Sequence, residues 1–240
     1  MTDKRITLVT GASRGIGRAT ALALAAANHH VVATARTTGA LEELDDLITA
    51  ASGTCTLVPL DLKDMPAIHQ LGHVLAERYG RLDGLFANAG VLGEITPAPQ
   101  VVPKTWDEVI AVNLTANVHL VRALDPLLRL SEAGRAVFVT SGVASSRRAY
   151  WSAYAASKAG LEAYVQCYAR EVGGVTPLRV NLLNPGATAT AMRAKAMPGE
   201  DPSTLPQPED VAKLAVKMLS PDWTANAEVV SYREWATTSA

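Results

Sequence analysis

Cysteine is almost missing from this 240-residue chain: Cys55 and Cys167 are the only two, and neither has a cysteine or histidine at metal-ligand spacing. That argues against a disulfide framework and against a zinc site, and both thiols read as small buried hydrophobes. An excess of one charge is also lacking. The 22 basic and 23 acidic residues leave a net charge of −1, so no whole-protein field draws in nucleic acid or an anionic membrane. Nor is there a long apolar opening. Met1-Thr2-Asp3-Lys4-Arg5 leads into the short stretch Ile6 to Val9, too brief for a signal-peptide core or a membrane span. We expect a cytoplasmic protein with no nucleic-acid and no membrane partner. His29, His30, His69, His73 and His119 form no ligand cluster in the sequence; we read them as structural and expect no metal.

What is present is ordinary globular material. Hydrophobic residues make up 48% and charged residues 19%, enough apolar content for a substantial core and too much for disorder. Short β-branched runs at 6–10, 31–35, 55–60, 83–87, 135–141 and 178–183 alternate with helix-length segments, and a weaker strand is expected near 227–231. Most runs are apolar without alternation, as in Ala136-Val137-Phe138-Val139, the mark of strands covered on both faces. The rhythm predicts an α/β fold: a doubly wound (Rossmann) mostly parallel sheet of about seven strands with helices on both sides. No repeat or linker interrupts it, so 1–240 is expected to be one dinucleotide-binding and catalytic domain. The prolines crowding 186–208 rule out one regular helix there; this stretch is either a lid over a site or a long connection.

The first strand ends in Thr10-Gly11-Ala12-Ser13-Arg14-Gly15-Ile16-Gly17 and runs into an Ala/Leu-rich helix. Glycines let backbone approach a pyrophosphate closely, and a helix N-terminus offers free N–H donors and a positive dipole end. Gly11, Ser13, Arg14, Gly15, Ile16 and Gly17 are therefore cofactor candidates, although a plain glycine turn has the same look. Farther on, Tyr154 and Lys158 stand four apart on an expected helix, hence on one face. A phenol with a pKa near ~10 is a poor acid or base at neutral pH, and an adjacent ammonium lowers it. Tyr154 would then exchange a proton with a carbonyl or alcohol oxygen, and Ser141, after the fifth strand, would hydrogen-bond the same oxygen.

The spacing Gly-x-x-x-Gly-x-Gly, together with Asp61, Asn88-Ala89-Gly90, Asn113, Ser141, Tyr154-x-x-x-Lys158 and Pro185-Gly186, resembles the short-chain dehydrogenase/reductase family through most of the chain. The resemblance implies an oxidoreductase that moves a hydride between nicotinamide and a ketone or secondary alcohol. Within it, Asn113, Ser141, Tyr154 and Lys158 are the catalytic set. Asn113 kinks its helix to hold a relay water, and Lys158 also holds the nicotinamide ribose. Asp61 with Leu62 meets the adenine, and Asn88, Ala89 and Gly90 line the ribose. Pro185, Gly186, Thr188 and Thr190 contact the carboxamide or phosphates, unless either threonine is a helix N-cap.

Cofactor choice turns on the end of the second strand, where a carboxylate would bind the adenosine ribose of NAD. Ala35-Arg36-Thr37 stands there instead. Arg36 and Arg14 offer cationic forks to a 2′-phosphate, which implies NADP(H) in preference to NAD(H); the alternative is two solvated arginines. The family also implies a homodimer or homotetramer joined by the helices of Asn113 and Tyr154, whose apolar residues Val118, Leu120, Leu124, Leu127, Leu161, Val165 and Tyr168 core packing explains equally well. The Asp-Gly-Gly-like C-terminal segment common in the family is absent from 223–235, which puts the sheet edge in doubt. The leading activity is a carbonyl reductase or alcohol dehydrogenase; a 3-oxoacyl-thioester reductase carries the same groups, and a non-catalytic NADP(H)-binding redox sensor would need none of them. Arg147, Arg148, Tyr150 and Trp151 fall before Tyr154 near the expected pocket mouth; they either select an anionic or aromatic substrate or are solvated arginines and a packing tryptophan, and the second account is the simpler.

Overall fold

The computed structural model describes residues 4–238, so Met1-Thr2-Asp3 of the polar opening lies outside the described residues. Seven strands form one sheet: β1 (Arg5–Thr10), β2 (His29–Ala35), β3 (Thr54–Pro59), β4 (Gly84–Ala87), β5 (Arg135–Val139), β6 (Arg179–Asn184) and β7 (Val229–Ser231). Their order is β3-β2-β1-β4-β5-β6-β7 and every pairing is parallel. The expected doubly wound sheet is therefore found, each strand within about two residues of the sequence reading. The doubtful edge exists as well, since Val229 and Val230 register against Leu182 and Leu183.

Alternation along the strands sends side chains into two cores. On one side Leu8, Val32, Leu85 and Phe138 pack on α3 (Met65–Tyr79), α5 (Ala116–Arg129) and α7 (Ser152–Gly173). On the other, Val9, Val31, Phe86 and Val137 pack on α1 (Gly15–Ala26), α2 (Thr38–Ala50) and α9 (Pro208–Leu219). Phe86 and Phe138 are fully enclosed; each such ring contributes about 2–3 kcal/mol of transfer free energy. The shorter helices are α4 (Pro103–Ile110), α6 (Val143–Ser146), α8 (Ala191–Ala196) and α10 (Tyr232–Thr238). Among the described residues no helix is long and apolar enough to cross a membrane.

Leu120, Leu124, Leu127, Leu161, Val165 and Tyr168 are all buried within the chain's own core, so core packing explains them. One thiol departs from expectation: Cys55 is half-buried, but Cys167 is exposed on the outer face of α7, where no apolar neighbour encloses it. Of the five histidines, His69 and His119 hydrogen-bond one another at 2.9 Å between α3 and α5, and His29 pairs with the Thr7 hydroxyl at 2.8 Å.

The chain winds one way through β1-β2-β3 and the other way through β4 onward. The switch falls between β1 and β4, where the connections leave in opposite directions and open a crevice beyond the strand ends.

Candidate active site

The crevice is a cleft of about 460 Å³ running along the carboxyl ends of the strands. Its walls begin at the glycine turn. Gly11 and Gly15 have φ of +67° and +54°, the left-handed region, and a Cβ on Gly11 would lie 2.9 Å from the Cα of Ala89. Gly17 does not line the cleft; a side chain there would collide with the Gly11 carbonyl, so its part is to let α1 close on the turn. No side chain caps the N-terminus of α1, which leaves its first N–H groups pointing at whatever the turn holds.

Across the switch point, β4 is stapled to β1. The Thr10 hydroxyl accepts the N–H groups of Asn88 and Ala89, both at 3.0 Å, and the Asn88 amide donates to the Thr10 carbonyl at 3.0 Å. Ser13, Arg14, Ile16, Arg36, Asp61, Leu62, Asn88, Ala89, Gly90, Pro185, Gly186, Thr188 and Thr190 all line the cleft. Asp61 is fixed by accepting the Lys63 N–H at 2.9 Å. Thr190 caps α8, accepting the Arg193 N–H at 3.2 Å, so its N-cap reading holds while it also faces the cleft.

Ser141, Tyr154 and Lys158 meet on the cleft floor. Lys158 is buried, and its Nζ donates to the Val139 carbonyl at 2.7 Å while lying 5.8 Å from the centre of the Tyr154 ring. This corrects one expectation. Burial pushes the Tyr154 phenol up to about 12, with a hydrogen bond to Ser141 pulling the other way; the ammonium does not lower it. Burial acts on the lysine too, bringing it down to about 8 against the opposing charge of Glu162. Taking each group out of water favours its neutral form.

Asn113 does not reach the cleft. It lies in a five-residue π-helical segment, Ala111–Thr115, that carries α4 into α5, so the kink is present. Its side chain is fully occupied: Oδ1 accepts the Val91 N–H at 2.8 Å, and Nδ2 donates to the Val91 carbonyl at 2.9 Å and the Ser157 hydroxyl at 3.0 Å. It thus locks the Gly90-Val91 turn to α7 beneath Tyr154.

Several cleft residues escaped the sequence reading: Leu92, Val143, Met192 and Arg193. Arg148 and Trp151, expected near the pocket mouth, also line it. Glu162, behind Lys158, was missed as well; the Thr140 hydroxyl donates to it at 2.7 Å. Its position one turn beyond Lys158 on the same helix was the available signal.

A family model described as "short chain dehydrogenase" matches residues 5–201. The uncharacterized oxidoreductase YciK of Escherichia coli (strain K12) is 41% identical over 223 residues, 92% of this chain and 88% of that protein. The sepiapterin reductase of Chlorobaculum tepidum is 32% identical over 238 residues, 95% of each. A crystal structure of a short-chain dehydrogenase from Shigella flexneri 2a, complexed with NADP, superposes with a TM-score of 0.90 at 37% identity, covering 97% of this chain and 98% of that one. The chain belongs to the short-chain dehydrogenase/reductase family and is an oxidoreductase.

Proposed function

We propose that this protein is an NADP(H)-dependent reductase of ketones to secondary alcohols, with Tyr154 as proton donor. The observation that carries the reading is the meeting of the Tyr154 and Ser141 hydroxyls with buried Lys158 at the floor of a cleft walled by a glycine turn.

The cleft fits a dinucleotide. Gly11 and Gly15 hold the left-handed backbone of the turn, a Cβ on Gly11 would crowd Ala89, and the uncapped start of α1 suits a pyrophosphate. Asp61, Leu62, Asn88, Ala89 and Gly90 would hold the adenosine half; Pro185, Gly186, Thr188 and Thr190 would hold the nicotinamide half, with Lys158 at its ribose. Arg14 and Arg36 are exposed cleft residues, and no carboxylate ends β2. That pair supports NADP(H) over NAD(H), because guanidinium forks match a phosphate. When bound, the cofactor supplies or accepts the hydride.

The protein's own groups handle the oxygen. The Tyr154 phenol keeps its proton at neutral pH and can give it to the developing alkoxide, which is a stronger base than a phenolate. Ser141 donates to the same oxygen and fixes its position. Lys158, still largely cationic at neutral pH, stabilises the negative charge that forms there and on the phenol. The segment 186–208 serves as a lid: it leaves and returns at one point, where the Ala189 N–H donates to the Pro206 carbonyl at 2.9 Å, and α8 lies over the cleft. For assembly, the exposed small residues Ala156, Ala159 and Ala163 on α7 support a homodimer or homotetramer through that helix.

The test is oxidation of NADPH and of NADH, followed by absorbance, with simple ketones, sugars and 3-oxoacyl thioesters. Turnover of simple ketones with NADPH preferred is expected. Activity confined to thioesters would replace the general carbonyl assignment, and NADPH binding with no turnover of any carbonyl would point to a sensor.

A further inference from the structure

Beyond Tyr154 the cleft changes character. Its outer end is lined by Leu92, Val143, Trp151 and Met192, with two guanidinium groups, Arg148 and Arg193, and no carboxylate. The two arginines are not equivalent. Arg193 is spent on Glu200, which it grips with both Nε and a terminal nitrogen at 2.5 and 2.6 Å. Arg148 makes no ion pair within 4 Å among the described residues, and it lies 5.8 Å over the ring of Trp151. The Glu200 carboxylate feels Arg148 only after its main partner Arg193. Taken together, Arg148, Arg193 and Glu200 leave one positive charge uncompensated at the mouth.

The loop that presents Arg148 is held in place. Arg147 and Tyr150 flank it with φ of +49° and +72°, the left-handed region that non-glycine residues avoid. The Tyr150 carbonyl accepts the Thr96 N–H at 3.0 Å, and the Trp151 N–H donates to the Arg148 carbonyl at 3.3 Å. Strain of this kind persists where the surroundings over-determine it, and it concentrates at ligand clamps. The Tyr154 and Trp151 rings are 6.0 Å apart edge to face, and the Arg148 guanidinium lies 5.8 Å from the centre of the indole.

We propose that Arg148 selects carbonyl substrates bearing a carboxylate at the far end of an apolar body about one aromatic ring wide. This rests on the reductase reading above and names its substrate class. Trp151 and Met192 cover the apolar body, Tyr154 receives the carbonyl, and the Arg148 fork takes the carboxylate with two parallel hydrogen bonds. An acid with a single carbon between carbonyl and carboxylate lacks the apolar body that Trp151 and Met192 cover.

The test uses three ketones with NADPH: 4-(4-carboxyphenyl)butan-2-one, its methyl ester, and acetoacetate. Binding to the NADPH-loaded protein is followed by tryptophan fluorescence, and turnover separately. The carboxylated aryl ketone should exceed its ester and acetoacetate by roughly tenfold or more in kcat/KM, carried by KM, and in affinity. Arg148→Glu should invert the acid-to-ester ratio, Arg148→Ala should bring it near one, and Arg148→Lys should restore part of it. Turnover of acid and ester at equal efficiency, or a ratio unmoved by Arg148→Glu, overturns the proposal and leaves the reductase reading standing. Arg148-dependent binding of the acid without turnover does the reverse.

Discussion

The ammonium of Lys158 hydrogen-bonds the carbonyl of Val139 at 2.7 Å, the last residue of β5, so α7 is tied to the sheet edge at the point where the chemistry takes place. One residue on, Thr140 clamps the Glu162 carboxylate at 2.7 Å. With the lysine near 8 and the carboxylate opposing its deprotonation, reduction should decline as pH rises through about 8, where Lys158 loses its charge. Glu162→Gln removes the group that raises Lys158, so the midpoint of that decline should move to lower pH; Thr140→Val should move it the same way by less. The pH profile of kcat in the two variants checks this.

Asn113 is expected to act by positioning. Asn113→Ala deletes three hydrogen bonds and leaves the Val91 N–H and carbonyl without their partner; each buried group so orphaned costs about 1–3 kcal/mol. A lowered Tm is expected together with a fall in kcat, since the Gly90-Val91 turn and α7 lose their common anchor. Asn113→Asp, which keeps the acceptor for Val91, should recover part of the stability. Thermal unfolding and steady-state kinetics measure the two effects.

Replacing Arg14 or Arg36 by Ala should raise the KM for NADPH by roughly 10- to 100-fold, the equivalent of one charged hydrogen-bonding partner, and leave the KM for NADH within a few-fold. Equal losses for both cofactors would remove these arginines from phosphate recognition.

His29 gives the fold a pH limit. Burial, aided by the charge of Arg5, pushes it down to about 4, against about 6.5 in an unfolded chain. Above about 6.5 both states are neutral and nothing is lost. As pH falls from there toward 4 the unfolded chain takes up a proton that the folded one declines, so stability drops by up to about 3 kcal/mol and then levels off. Urea unfolding across this range should show the slope, and His29→Gln should flatten it.

The fold was legible because its strands are sheathed by helices on both faces, which leaves unbroken apolar runs such as Ala136 to Val139 with polar residues just past their ends. Most of the cleft was legible for the same reason, since it consists of those strand ends. The outer wall was legible only in part: Arg148 and Trp151 stand just before Tyr154 in the chain, near the expected pocket mouth, but their path into the cleft and the arrival of Met192 were not. Arg148 and Trp151 reach the cleft through a loop path set by the Thr96–Tyr150 bond, and Met192 through a short helix between prolines; neither leaves a periodic trace. The ionisation of Tyr154 was misjudged because spacing shows who its neighbour is, whereas burial decides which protonation state wins. Cys167 was misplaced because α7 turns that residue outward.

The role of Tyr154 as the proton donor is tested most directly by single-turnover reduction of a ketone with NADPH, comparing the native protein with Tyr154→Phe, which keeps the ring and removes the hydroxyl. The expected result is a roughly 10²- to 10⁴-fold slower hydride transfer in a protein whose circular dichroism and Tm are close to native. A Tyr154→Phe protein reducing the same ketone within a few-fold of the native rate would contradict it.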